Sequence, residues 1–85
     1  MSKILIIEDN VVLCRMLCNW LERKGLQTER TGSVLQARKL IATTNADIIL
    51  SDIRLPDGDG VEEILSWMNK HQIRIPFLVM TEYAG

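Results

Sequence analysis

The chain has 85 residues, 47% hydrophobic and 25% charged, with a formal net charge of -1. That is the makeup of one small globular domain, burying about 60–65% of the surface of its extended chain. A near-zero charge without a basic cluster excludes the electrostatic footprint of a nucleic-acid binder, and no apolar stretch approaches the ~20 residues of a membrane span.

In chain order, Ile4-Leu5-Ile6-Ile7 is a continuous apolar run closed by Glu8 and Asp9, the pattern of a buried strand. The opening residues carry no small-residue cleavage site and place acids directly after this run, unlike a signal peptide; the chain reads as soluble and cytoplasmic. Asn10 suits an N-cap, and from Val11 the pattern turns helical, with Leu13, Leu17 and Leu21 on one stripe and Cys14, Cys18 and Trp20 beside it. Arg23 and Lys24 suit the negative end of the helix dipole, and Gly25 the position after the cap. Leu26 to Thr31 is more polar and reads as an edge strand. Ser33-Val34-Leu35-Gln36 fits a capping box opening a second helix to about Thr43.

The most informative stretch runs from Ala46 to Gly60. Ile48, Ile49 and Leu50 form a short run suited to a strand buried on both faces, stopping at Asp52. Leu55-Pro56-Asp57-Gly58-Asp59-Gly60 is dense in turn formers and reads as a flexible loop. Val61, Ile64, Leu65 and Met68 then mark a third helix ending near Lys70 and His71, and Pro76 can open a last strand, Phe77 to Met80. The order is β-α-β-α-β-α-β. It predicts an α/β fold, a parallel sheet wound by right-handed crossovers with helices on both faces.

Cys14 and Cys18, four apart on a helix, have Cβ atoms about 5–6 Å apart, too far for an unstrained disulfide. With no second Cys pair and His71 as the one histidine, they form no metal site and read as small buried helix residues.

In a parallel sheet every strand's carboxyl end shares one edge, so Glu8, Asp9, Asp52 and Thr81 can meet there. If the first and third strands are neighbours, the crevice between them is the topological switch point. Three carboxylates within about 4–6 Å repel by about 4 kcal/mol per close pair at an effective dielectric near 20. A hard divalent cation relieves that repulsion, and oxygen-only ligands with room for water suit Mg²⁺. A carboxylate oxygen of Asp52 can then serve as a nucleophile towards phosphorus, with the Thr81 hydroxyl donating to a phosphoryl oxygen. On spacing alone, Asp52 serves equally as a strand terminator or loop cap, and Thr81 as an ordinary β-branched strand residue.

Three other motifs fail on context. Asp57-Gly58-Asp59-Gly60-Val61 matches a D-x-D-G-V phosphatase string, but it follows Pro56 and leads into a helix instead of ending a strand. An EF-hand register puts Leu55 and Ser66 at ligand positions. Glu63 stands where the third glycine of a dinucleotide fingerprint belongs.

The set IIED after the first strand, SDIRLPDGDG after the third and MTEY after the fourth resembles the receiver domain of bacterial two-component response regulators. The resemblance covers the whole chain and leans towards receivers that head ATP-driven transcription activators. It implies a flavodoxin-like fold, with Asp52 as phospho-acceptor, Glu8 and Asp9 as metal-binding acids and Arg54 as a metal ligand through its backbone carbonyl. Thr81 would be the switch hydroxyl, and Pro56 and Gly60 would belong to the loop that shapes the pocket. It further implies Mg²⁺ as cofactor, a sensor histidine kinase or phosphotransfer protein as donor, and an output domain in the parent chain. Catalysis would be limited to phosphoryl transfer onto the chain's own aspartate.

Two departures stand out. The family continues with a fourth helix, a fifth strand bearing a phosphate-pairing lysine, and a fifth helix, so residues 1–85 are expected to be an incomplete receiver. Glu82 also stands where many members have a small residue, adding charge and bulk beside the phosphate pocket. An exposed last strand and uncovered sheet faces would favour a homo-oligomer or exchange of elements between copies. The competing reading is a fragment impaired in phosphorylation that acts as an interaction module.

Overall fold

The computed structural model describes residues 2–80. Its main sheet has four parallel strands, β1 (Lys3–Ile7), β2 (Gln27–Thr31), β3 (Ile48–Asp52) and β6 (Phe77–Met80), in the order β2-β1-β3-β6. A two-stranded antiparallel hairpin, β4 (Arg54–Leu55) with β5 (Gly58–Asp59), lies between β3 and the third helix. The helices are α1 (Val11–Arg23), α2 (Val34–Ile41) and α3 (Gly60–Lys70).

Each helix starts where a side chain can satisfy its free amide groups. Asn10 accepts from the Leu13 N–H at 3.0 Å, and Ser33 from the Gln36 N–H at 3.1 Å. Asp59 accepts from the Val61 and Glu62 N–H groups, both at 2.9 Å. The reciprocal half of the expected capping box is not made; the Gln36 side-chain oxygen Oε1 instead accepts from the Thr31 hydroxyl at 3.3 Å. Gly25 follows α1 with φ +87°, a conformation open to glycine at no steric cost.

Register pairs Ile4 with Ile48, Ile6 with Leu50 and Leu50 with Leu78, so these residues share one sheet face. Leu5, Ile7 and Ile49 occupy the other, where Ala37 and Ile41 of α2 and Ile64 and Met68 of α3 complete the larger core. On the first face, among the described residues, α1 alone packs, with Cys14, Cys18 and Leu21 against Ile6.

The structure corrects three expectations. The seam of α1 runs through Cys14, Cys18 and Leu21; Leu13 is 39% exposed, Leu17 half-buried and Trp20 57% exposed. The two thiols take the buried face, so of the leucine stripe Leu21 stays in the seam, Leu17 packs at its margin and Leu13 turns outwards. β3 is not buried on both faces: Ile49 and Ser51 are buried, but Ile48 and Leu50 only half so, because α1 lies over β1 and β2. The stretch after Asp52 is a hairpin rather than a flexible loop. Pro56 and Asp57 form its turn, with Gly58 at φ +153° and the Glu63 carboxylate lying where a Cβ would go.

Candidate functional site

The neighbouring strands β1 and β3 end together, Ile7 beside Ser51, and the chain leaves both on the same edge. That brings Glu8, Asp9 and Asp52 together, with one carboxylate oxygen of each within 4.8 Å of the others. They line an open cavity of about 340 Å³ with Asn10, Leu13, Arg54 and Met80. Met80 is paired with Asp52 across β3 and β6, so β6 also ends at this edge. Thr81 and Glu82 lie outside the described residues.

Glu8 is held inward. Its backbone N–H donates to the Thr31 carbonyl at 2.9 Å, extending the β1–β2 ladder, and the side chain is only 6% exposed. Burial pushes its pKa up to about 7, helped by hydrogen bonding to Asp9 and by the charge and hydrogen bonding of Asp52, against the stabilising Asn10 N–H donated to Oε2 at 3.1 Å. Asp52 is half-buried and Asp9 exposed. A buried acid destabilised by two acidic neighbours is a donor set that a hard cation satisfies, and oxygen-only ligation facing solvent fits Mg²⁺.

The hairpin closes the site from below. Gly60 donates its N–H to the Ile53 carbonyl at 2.7 Å, and a Cβ on Gly60 would lie 2.5 Å from the Asp52 carbonyl oxygen. Only glycine lets α3 start that close to β3. Ser51, fully buried, donates its hydroxyl to the Asp52 carbonyl at 2.9 Å.

Sequence reasoning missed Asn10 and Leu13 as pocket residues, having read them only as cap and core. It also missed Asp57, whose carboxylate accepts from the Val34 N–H at 2.7 Å and the Leu35 N–H at 3.0 Å. These two bonds hold the Asp57 carboxyl below its usual range. No sequence periodicity marks a cap supplied from 22–23 positions away.

A parallel sheet in the order β2-β1-β3-β6, with a carboxylate cluster where β1 and β3 diverge, defines a flavodoxin-like α/β domain with its site at the switch point. Residues 4–85 match the response regulator receiver domain family, and the chain belongs to it. Regulatory protein AtoC of Escherichia coli (strain K12) is 35% identical over 83 residues, covering 98% of this chain and 18% of AtoC. Polar-differentiation response regulator DivK of Brucella ovis is 34% identical over 85 residues, covering 98% of this chain and 68% of DivK. The MaeR response regulator bound to beryllium trifluoride superposes with a TM-score of 0.86 at 29% identity, covering all of this chain and 70% of MaeR. The chain thus spans about a fifth of AtoC and about two thirds of the other two.

Proposed function

We propose that Asp52 accepts a phosphoryl group from a phosphohistidine on a sensor histidine kinase or phosphotransfer protein. Glu8, Asp9, Asp52 and the backbone carbonyl of Arg54 would hold Mg²⁺ for that transfer. The observation that carries this reading is the meeting of the three carboxylates within 4.8 Å at the switch point of a receiver-family sheet. MaeR, of known structure with beryllium trifluoride, supports room in such a fold for a small inorganic group.

Bound among these residues, Mg²⁺ supplies positive charge that offsets their repulsion and screens the incoming phosphoryl oxygens. One carboxylate oxygen of Asp52 forms a bond to phosphorus as the phosphorus–nitrogen bond breaks, and the histidine nitrogen keeps that electron pair. The product is an acyl phosphate on Asp52 and a free imidazole. The aspartate is consumed once per event, so the chain is a signalling module and not a turnover enzyme. Thr81 is assigned the switch hydroxyl that senses the acyl phosphate, which then biases a two-state surface towards an output domain in the parent chain. Transcription regulation in the cytoplasm is the output this reading assigns; among the described residues no helix is long and apolar enough to cross a membrane.

Residues 1–85 are read as part of a receiver domain whose fourth helix, fifth strand and fifth helix belong to the whole protein, in keeping with the 68–70% of DivK and MaeR that they span. A second reading, an interaction module pairing through β6, is favoured by one observation: Leu78 and Val79 on that strand are 55% and 41% exposed.

The test is transfer of labelled phosphate from a phosphorylated kinase in the presence of Mg²⁺. Asp52→Asn is expected to remove the label, and the wild-type label is expected to be lost in base. Label that persists in Asp52→Asn and resists base would overturn the assignment.

A further inference from the structure

We propose that Asp57 is a positioning residue for the metal pocket: by gripping the first two amide groups of α2, it clamps the β4–β5 hairpin and fixes Arg54 at the pocket wall. This rests on the metal-site reading of Glu8, Asp9 and Asp52 given above.

Both carboxylate oxygens of Asp57 are used, Oδ1 by the Val34 N–H at 2.7 Å and Oδ2 by the Leu35 N–H at 3.0 Å. Helix α2 already has a cap of its own, since Ser33 takes the Gln36 N–H. Its first two amides are therefore served from a different element, and a carboxylate there also meets the positive end of the helix dipole. Charge-assisted bonds of this kind are about twice as strong as neutral ones.

A clamp at the hairpin's tip reaches its base because the hairpin is fixed as a unit. Arg54 pairs with Asp59 and Leu55 with Gly58, and the Leu55 side chain is buried in the larger core. Gly58 lies under the Glu63 carboxylate, and Gly60 is pressed against the Asp52 carbonyl. Arg54, the first residue of this unit, lines the same cavity as Glu8, Asp9 and Asp52. Tip and base cannot shift independently, so whatever orders the one orders the other. By linkage, if the clamp favours metal binding, metal binding must favour the clamp to the same degree.

The experiment measures Mg²⁺ dissociation constants calorimetrically for the wild-type chain and for Asp57→Ala, Asp57→Asn and Ser33→Ala. Asp57→Ala is expected to weaken Mg²⁺ binding about 5-fold, a modest value for coupling between distinct sites. Asp57→Asn, keeping one acceptor oxygen, should fall between it and the wild type. Ser33→Ala, which removes a cap from the same helix without touching the hairpin, should bind Mg²⁺ like the wild type. Amide hydrogen exchange in the wild type gives the reciprocal readout. Mg²⁺ is expected to slow exchange at Val34 and Leu35 more than at Gln36, whose cap is local. Equal Mg²⁺ affinity in Asp57→Ala and the wild type would overturn the proposal, as would equal losses in Asp57→Ala and Ser33→Ala. A wild-type chain that binds no Mg²⁺ would overturn the metal-site reading and this inference with it. If Asp57→Ala does not fold, the exchange pattern in the wild type decides alone, and uniform protection along α2 would count against the clamp.

Discussion

Glu8 is the residue on which the site's electrostatics turn. In the metal-free fold its carboxyl titrates at about 7, raised from an ordinary 4.5 by burial first and by Asp9 and Asp52 after that. Between those two values the unfolded chain has released the proton and the folded chain still holds it, so the folded state binds more protons. The stability Glu8 contributes is then fully present below about pH 4.5 and lost as pH rises through about 7, on the order of a few kcal/mol in all. Chemical denaturation of the metal-free chain at pH 4.5–7.5 should show that fall, and Glu8→Gln should remove most of it; a stability that rises across this window would contradict it. Mg²⁺ acts against the same repulsion. At about 100 times its dissociation constant it should add about 2.7 kcal/mol near pH 7, read as a rise in melting temperature. Asp9→Asn should abolish that rise while leaving the metal-free chain as stable or more so, since one of three crowded charges is gone. A Mg²⁺ response unchanged in Asp9→Asn would show that the ion binds elsewhere.

At the scale of elements, the hairpin and the helix starts decide how the site is held. Gly60 is the least forgiving point, because an added Cβ would meet the Asp52 carbonyl oxygen at 2.5 Å and the buried Leu55 side chain at 3.0 Å. Neither can yield cheaply, one being backbone and the other core. Gly60→Ala should therefore cost about 1–3 kcal/mol, the range for overpacking, and weaken Mg²⁺ binding by displacing Asp52; thermal melts with and without Mg²⁺ check both. The order of the main strands and helices was legible in the sequence, as was a shared edge for Glu8, Asp9 and Asp52; that β1 and β3 are neighbours entered only as a condition, which the sheet order meets. Aliphatic runs closed by acids and helix-period patterns are local signals that parallel-sheet topology converts into position. The hairpin was not legible, because its strands are two residues each, too short for any alternation to register. Nor was the α1 seam. Leucine outranks cysteine in hydrophobic patterning, yet Cys14 and Cys18 take the buried seam and Leu13 is left at the pocket. Asp57 reads locally as a turn residue, and only the tertiary fold brings the start of α2 within its reach.

At the scale of the whole molecule, the sheet is unequally dressed. One face carries α2 and α3, the other α1 alone over β1 and β2, and β6 stands at the margin with β3 as its one partner among the described residues. Phe77-Leu78-Val79-Met80 has no charged side chain to discourage pairing, and its outer edge offers a row of backbone donors and acceptors. Two such edges brought together antiparallel would satisfy those groups. They would also cover part of Leu78 and Val79 and of the half-buried Ile48 and Leu50 beside them. Covering about 400 Å² of apolar surface is worth about 10 kcal/mol at ~25 cal/mol per Å². That is comparable to the cost of association, estimated at about 4–15 kcal/mol, so the balance favours a pair at high concentration and not an obligate dimer. The 85-residue chain is expected to self-associate reversibly at micromolar to millimolar concentration in sedimentation equilibrium. Val79→Lys, placing a charge on the exposed edge strand, should shift the chain towards monomer while leaving Glu8, Asp9 and Asp52 untouched. A monodisperse monomer throughout that range, or association that Val79→Lys leaves unchanged, would mean that β6 is not the contact between copies.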